Sequence, residues 1–253
     1  RVYDVHGHLG EYRQFPVFGS TAAEIVRQMD RLGIDRLIMS HHLVVFHGGA
    51  DADEPVLAAM RGHPGRIFGY CCPDPRLAGT GAAYVERRLE QGFVGIKLHD
   101  YRGLPYTARA LREVYALAAE RRIPVLFHSP GSRFRAVFQP VLEAFPDLIC
   151  ILAHGGAGYP QYTHEALDED AGFVKSFPGA HLDFSAAISP PAYPQAIIAK
   201  LGADRILFGS DLPFVNAAYT LGCMATLDLD DAQIHAVLHG NAERLFGEFM
   251  RPT

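Results

Sequence analysis

The 253-residue sequence lacks the features that mark several large classes of protein. Its four cysteines include the neighbours Cys71 and Cys72 but no C-x-x-C pair, so neither a disulfide framework nor a thiolate zinc site is expected. No apolar run is long enough to span a bilayer, and no basic segment followed by an apolar stretch opens the chain.

Positive charge is also scarce. The chain has 23 Lys and Arg against 28 Asp and Glu, which gives a net charge of −5. That balance argues against nucleic acid or an anionic membrane as the main partner. With 49% apolar residues, the composition is that of an ordinary soluble protein, and the cytoplasm is the expected compartment.

What the sequence does contain is one pattern repeated eight times, a short β-type run followed by a helical segment. The runs are rich in β-branched and aromatic residues and mostly uninterrupted by polar ones, as parallel strands covered on both faces are. They are predicted at residues 1–7, 36–41, 66–71, 93–99, 123–128, 148–154, 180–185 and 205–210. Helices are predicted at residues 21–33, 52–62, 79–91, 107–121, 132–145, 161–176 and 191–201, with one or two closing helices after Leu227.

Eight β–α units in succession predict an α/β fold, a single (β/α)8 TIM barrel over residues 1–253. A doubly wound open sheet is the alternative, but no G-x-G-x-x-G motif follows the first strand. The first helix has clear ends, because Thr21 and Glu24 have the spacing of a capping box and Gly33 ends the run.

Ionisable side chains follow the predicted strands at their carboxyl ends, where a barrel holds its active site. His6 and His8 lie two residues apart on the first strand, so both side chains point toward the barrel axis. Four other strands contribute Lys97 with His99, His128, His154 and Asp211. Burying such groups is costly unless they are paired or bound to a metal. This convergence predicts that the two histidines of the first strand form a metal site.

Six segments, in this order along the chain, resemble the amidohydrolase superfamily. They are DVHGH, GIKLHDYRG, LFHSP, LAHGG, FGSDLP and the closing GNAERLFG. More narrowly, they are similar to its amidohydrolase-related branch of small hydrolases, lactonases and non-oxidative decarboxylases. The resemblance covers the whole chain and implies a distorted TIM barrel that holds one or two divalent ions, usually zinc and sometimes manganese.

The resemblance implies a ligand set of three imidazoles and one carboxylate, which suits Zn²⁺ or Mn²⁺. Its members are His6, His8, His128 and Asp211. Asp211 is also expected to be the general base toward a water activated by the metal, and His154 to stabilise the developing oxyanion. The main functional prediction is therefore hydrolysis of a small amide, lactone or ester. The alternatives are decarboxylation of an aromatic or enoic carboxylic acid, and a barrel that binds a metal or ligand without turnover.

Lys97 leaves the number of ions open. In superfamily members with two metals, a lysine at this strand position is carboxylated and bridges the ions, and His128 and His154 would then hold the second ion. With a single metal, which we favour, Lys97 is a catalytic cation that faces the substrate.

Substrate contacts are predicted around the same mouth. Arg102 and Arg133 follow the fourth and fifth strands, where each could bind a substrate carboxylate through two hydrogen bonds, and His99 is a third candidate. The predicted partner is therefore a small molecule that bears a carboxylate, and assembly into a homo-oligomer is left open.

Other residues receive weaker assignments. Three histidines crowd the loop after the second strand, where one could reach the site although surface hydrogen bonds are the expected role: His41, His42 and His47. Aromatic residues expected to line an apolar pocket or to cap the barrel are Phe46, Tyr101 and Phe214. Asp183 and Ser185 share a face of the seventh strand and are expected to support the metal ligands from behind.

Overall fold

The computed structural model describes residues 1–14, 16–74, 76, 80–100, 105–156, 164–185 and 192–251. Eight strands lie in one sheet, each paired in parallel with the next along the chain. They are β1 (Tyr3–Leu9), β2 (Arg36–His41), β3 (Ile67–Cys71), β4 (Gly95–Leu98), β5 (Val125–Phe127), β6 (Cys150–Leu152), β7 (Ala180–Asp183) and β8 (Ile206–Leu207).

The two edge strands of this sheet meet, so the sheet closes into a barrel. Gly7 of β1 pairs in parallel with Leu212, which follows β8. His8 N donates to Leu212 O at 2.7 Å, and Asp211 N donates to His6 O at 2.7 Å. The predicted (β/α)8 barrel is confirmed, and its closing seam runs through three of the predicted site residues.

Helices follow the strands in alternation. They are α1 (Ala22–Leu32), α2 (Ala50–Gly62), α3 (Gly81–Glu90), α4 (Arg112–Glu120), α5 (Phe134–Ala144), α6 (His164–Ser176), α7 (Ala192–Leu201), α8 (Ala217–Met224), α9 (Asp231–His235) and α10 (Asn241–Phe246). The predicted capping box is present, since Thr21 accepts from Glu24 N and the Glu24 carboxylate accepts from Thr21 N, and Gly33 ends α1 in the left-handed region. Helix α8 is not in the sequence prediction, because its AAYTLGCM sequence has no clear polar face.

Apolar side chains cover both faces of the barrel wall. In β5, Val125 and Phe127 pack outward with the helices, whereas Leu126 packs with a separate inner cluster. That inner cluster includes Val5, Ile38, Tyr70, Ile151 and Leu207, and it contacts α10. The barrel interior is therefore filled, and polar groups are concentrated where the strands end.

The structure bears on the cysteines and on membrane-spanning segments. All four cysteines are free, in agreement with the expected absence of a disulfide framework. Within the residues that the structure describes, no helix combines the length and the apolar character needed to cross a membrane.

Candidate metal centre

The carboxyl ends of β1 and β8 bring together two imidazoles and a carboxylate. Asp211 Oδ1 lies 3.1 Å from His8 Nε2 and 3.7 Å from His6 Nε2. All three side chains are buried, and their ligand atoms lie within 4.8 Å of one another. Asp211 reaches this position from a left-handed backbone with φ of 63°, four residues after β8 ends at Leu207. Three of the four predicted ligands are thus assembled.

The protonation state of this group fits a divalent cation. Burial lowers the pKa of His6 and of His8, so both rings are neutral at neutral pH. Burial acts to raise the pKa of Asp211, but the hydrogen bond from His8 and the neighbouring imidazoles hold it well below its usual range. Neutral imidazoles and an ionised carboxylate are the forms that ligate a metal.

Asp183, at the end of β7, fixes the orientation of His6. Its Oδ2 lies 2.9 Å from His6 Nδ1, and its Oδ1 accepts from Ser185 N at 2.9 Å and from His154 N at 3.2 Å. Because an ionised carboxylate only accepts, His6 Nδ1 carries the proton and Nε2 presents a lone pair to the centre. Asp183 and Ser185 therefore have the supporting position that the sequence predicted.

Asp4 performs a similar task between β1 and β8, and the sequence analysis does not identify it. Its buried carboxylate accepts from His6 N at 3.0 Å and from Ser210 N at 3.0 Å, and it also accepts from the Ser210 hydroxyl. Burial raises the pKa of Asp4 to about 7. These bonds fix the turn that carries Asp211. The available signal is a lone carboxylate within the apolar run VYDV.

Lys97 lies at the heart of the same cluster. It is 1% exposed, and its Nζ is 2.8 Å from His6 Nε2, the nitrogen that faces the centre. Burial lowers the pKa of Lys97 to about 8, although Asp183 and Asp211 oppose that change. The lone pair of His6 Nε2 and the charges of Asp183 and Asp211 favour a cation at this position.

His154 is a second neighbour of His6, with the two ring centroids 5.2 Å apart. Its backbone is left-handed, with φ of 59°, and Gly155 and Gly156 continue the predicted tight turn at φ of 68° and 80°. His154 Nδ1 lies 3.2 Å from Ser185 O, and its Nε2 lies 3.4 Å from His128 Nδ1. The ring is therefore held from behind and faces the predicted fourth ligand.

His128 is placed with His99 and not within the group formed by His6, His8 and Asp211. The His99 and His128 rings stack at 3.9 Å with an interplanar angle of 16°, and His99 Nδ1 lies 2.8 Å from Asp100 Oδ1. Donor atoms of His99, Asp100 and His128 also lie within 4.8 Å of one another. Stacked imidazoles direct their lone pairs along parallel planes, however, so this second group is poorly arranged to share one ion.

Of the two arginines predicted to bind the substrate, only Arg133 lies within the described residues. Arg102 and Tyr101 lie outside the described residues. Arg133 is exposed on the turn before α5, close enough to Asp100 for its charge to favour the ionised carboxylate.

Of the three histidines after β2, one reaches the candidate centre, as the sequence allowed, and it is His42. His41 Nδ1 accepts from Leu43 N at 3.1 Å, and His47 Nε2 lies 3.9 Å from Asp51, so these two make local contacts. His42 is 2% exposed, and its ring stacks on the His8 ring with a centroid separation of 4.7 Å and an interplanar angle of 13°. The short helical turn at the end of β2 sends alternate side chains inward, which the loop sequence does not indicate.

Aromatic side chains form a wall beside His42. The ring centroid of Tyr12 lies 5.6 Å from that of His42, 5.9 Å from that of Phe46 and 5.6 Å from that of Phe214. Phe214 is 44% exposed, so the wall is open to solvent. Phe46 and Phe214 thus stand where the sequence predicted an apolar lining, and Tyr12 adds to it. A flat apolar group fits such a surface.

Known proteins resemble this chain over nearly its whole length. A family model with the description Amidohydrolase matches residues 3–247. The gamma-resorcylate decarboxylase of Polaromonas sp. is 24% identical over 292 aligned residues, which cover 87% of this chain and 86% of the decarboxylase.

Solved structures share the fold. The 5-carboxyvanillate decarboxylase of Novosphingobium aromaticivorans, a mutant with bound manganese and 3-methoxy-4-hydroxy-5-nitrobenzoic acid, superposes with a TM-score of 0.75 at 15% identity, covering 97% of each chain. A candidate 2-pyrone-4,6-dicarboxylic acid hydrolase from Pseudomonas putida superposes with a TM-score of 0.80 at 18% identity, covering 99% of this chain and 98% of that one.

Proposed function

Because the chain belongs to the amidohydrolase family, we propose that it is a metal-dependent enzyme that decarboxylates a small aromatic carboxylic acid. The observation that carries the proposal is the buried group of His6, His8 and Asp211 next to the aromatic wall of Tyr12, Phe46 and Phe214. The curated relative is a decarboxylase, which supports this reaction over the hydrolysis that the sequence analysis favours.

The residues present fit a divalent ion, with zinc or manganese as candidates. His6, His8 and Asp211 would hold it, and His128 remains the predicted fourth ligand. When bound, the ion supplies positive charge that anchors an anionic substrate and stabilises charge developing near the carboxylate. The 5-carboxyvanillate decarboxylase structure holds both manganese and a substituted benzoic acid, which supports that use.

Decarboxylation breaks the bond between a ring carbon and the carboxylate, releases carbon dioxide and adds a proton to the carbon. Lys97 Nζ supplies a buried cation that orients the substrate carboxylate before the bond breaks. His154 is suited to carry a proton, because Ser185 O fixes its Nδ1–H and leaves Nε2 on the side of the site. The aromatic wall holds the ring and limits water around it.

Hydrolysis is the second candidate, and one observation favours it. The Asp211 carboxylate lies within 4.8 Å of the His6 and His8 ligand atoms, so a water or substrate held by that group would be within its reach. In that case the substrate would be a small lactone, amide or ester, as the sequence predicts, and Asp211 would accept the water proton.

A substrate panel tests the two reactions. Protein loaded with zinc or manganese is incubated with benzoates, enoic acids, lactones and amides, and released carbon dioxide and protons are measured separately. The proposal predicts carbon dioxide from at least one benzoate and none from His8→Ala. Proton release without carbon dioxide, from a lactone or amide, would replace decarboxylation by hydrolysis. Binding of metal and ligand without turnover of any compound would point to a non-catalytic barrel.

A further inference from the structure

Among the described residues, nothing forms a hydrogen bond with one buried nitrogen of His42, which lies beside the candidate metal centre. Its Nδ1 lies 2.6 Å from Gly10 O. Because a carbonyl oxygen only accepts, Nδ1 carries the hydrogen, and Nε2 of the neutral ring presents a lone pair. No residue in the described part of the chain donates a hydrogen bond to that atom.

An unpaired buried acceptor is unfavourable, so its position matters. One face of the ring lies against His8, and its other neighbours include Tyr12, at 5.6 Å, and Phe214, at 6.4 Å. His42 therefore stands between the candidate metal group and the aromatic wall. The other unpaired atoms differ, since His99 Nδ1 is 2.8 Å from Asp100 Oδ1 and Thr220 is a buried residue of helix α8.

The missing partner is not the proposed ion. The planes of His8 and His42 are only 13° apart, so their in-plane lone pairs run side by side and do not converge on one point. Among the described residues, the groups of donors close enough to hold an ion do not include His42. The partner that His42 Nε2 lacks is therefore a hydrogen-bond donor.

We propose that His42 Nε2 accepts a hydrogen bond from a hydroxyl or amino group on the ring of the substrate, so that the enzyme selects aromatic acids that carry such a donor. This inference rests on the proposed function. A ring lying along Tyr12 and Phe214 would place an edge substituent beside His42. A fluorine, ether or second carboxylate at that edge cannot donate, and it would leave the lone pair of Nε2 buried and unpaired.

Two substitutions separate the two nitrogens of the ring. In His42→Asn the amide nitrogen can replace Nδ1 and keep the bond to Gly10 O, but no atom replaces Nε2. In His42→Gln the amide oxygen can reach the place of Nε2 and accept. His41→Asn is the matched control, since His41 is the adjacent histidine and its side chain faces Leu43 N.

The experiment measures binding by calorimetry, with metal-loaded protein and the three hydroxybenzoates paired with the corresponding fluorobenzoates. Fluorine is close to hydroxyl in size but does not donate. For one ring position we expect the wild type and His41→Asn to prefer the hydroxy compound by about 10-fold. His42→Asn should bind both members of that pair within about 2-fold, and His42→Gln should retain part of the preference. Metal content and melting temperature establish that the variants are folded.

The possible results separate the role of His42 from the proposed function. Equal binding of hydroxy and fluoro compounds by the wild type, with benzoates still decarboxylated, would overturn the role of His42 and leave the proposed function standing. An unchanged preference in His42→Asn would do the same. A crystal structure in which a water remains on His42 Nε2 beside bound hydroxybenzoate would also overturn it. Failure of every benzoate to bind would remove the proposed function, and this inference with it.

Discussion

At the scale of single residues, the side chains around His6 should separate into those that hold the ion and those that act on the substrate. His8 and Asp211 form one group of close donors with His6, whereas His154 is grouped with His6 and Asp183, and its Nδ1 lies 3.2 Å from Ser185 O. We expect His8→Ala and Asp211→Ala to lose the metal, and His154→Ala to keep it while losing at least about 100-fold in turnover. Metal analysis and steady-state rates check this.

The same measurement tests the predicted fourth ligand. Loss of the metal in His128→Ala would establish His128 as a ligand, despite its stacking on His99. If His154→Ala instead loses one of two metal equivalents, the centre is binuclear and the single-ion proposal is wrong.

Lys97 gives a second prediction at this scale. As a cation that faces the substrate, it should contribute affinity for carboxylates but no metal ligand, because its pKa of about 8 leaves it mostly protonated at neutral pH. Lys97→Met should keep its metal content and bind benzoate at least about 10-fold more weakly, as expected when one charge of a buried pair is removed. Calorimetry and metal analysis measure the two effects.

Bicarbonate provides the opposing test for Lys97. A carboxylated lysine that bridges two ions would require it, so reconstitution with bicarbonate would raise the metal content toward two per chain. Short carboxylic acids would then restore the second ion in the variant. We expect neither effect.

At the scale of elements, β7 sets the orientation of His6, a candidate metal ligand on β1. Asp183 Oδ2 holds His6 Nδ1, so the strand end decides which imidazole nitrogen faces the ion. We expect Asp183→Asn to weaken metal binding by about 10- to 100-fold, the usual effect of removing such a partner. A competition titration with a chelator measures it. Ser185→Ala, which leaves the carboxylate in place, should change the affinity less, and an equal loss in both variants would contradict the account.

The alternation of side chains along a strand explains what the sequence could predict. Because the period of two is local, His6 and His8 could be assigned to one face and Lys97 to the mouth before the structure was known. The capping box of α1 was equally local. The bonds of Asp4 join strands far apart in sequence, and which of the three histidines after β2 turns inward depends on the path of a loop. Those contacts carry no sequence periodicity, so only the folded chain shows them.

At the scale of the whole molecule, the proposed ion should contribute to activity and little to folding. The buried core extends over both faces of the barrel wall, and Asp4, Ser210 and Lys97 tie the mouth together without an ion. We expect chelation to abolish turnover while the far-ultraviolet circular dichroism and the cooperative melt persist. Loss of helical signal on chelation would show that folding depends on the metal.

Acid should destabilise the barrel through buried neutral histidines, and His181 offers a test away from the centre. Burial lowers the pKa of His181 to about 4, against the hydrogen bond to Gly179 O. The unfolded chain takes up this proton near pH 6.5, so the contribution to stability is complete above pH 6.5. It is lost as the pH falls toward 4, and it amounts to about 3 kcal/mol.

His181→Asn can keep the bond to Gly179 O and has no group that titrates. The free energies of unfolding of wild type and variant, measured in urea from pH 7.5 to 4, should therefore approach or cross as the pH falls. The buried histidines that both proteins share cancel in this comparison. A difference that stays constant across the range would show that His181 is not the group that titrates.

The seam between β1 and the turn after β8 has a consequence for biosynthesis. Asp4 and Ser210 are bonded across 206 residues of chain, and Asp211 N donates to His6 O. When the ribosome has synthesised the first seven strands, the nascent chain contains His6 and His8 but not yet Asp211. A nascent chain therefore has no place for the ion until nearly all of the barrel has emerged. The ion would therefore bind after the barrel has closed, and it would not nucleate folding.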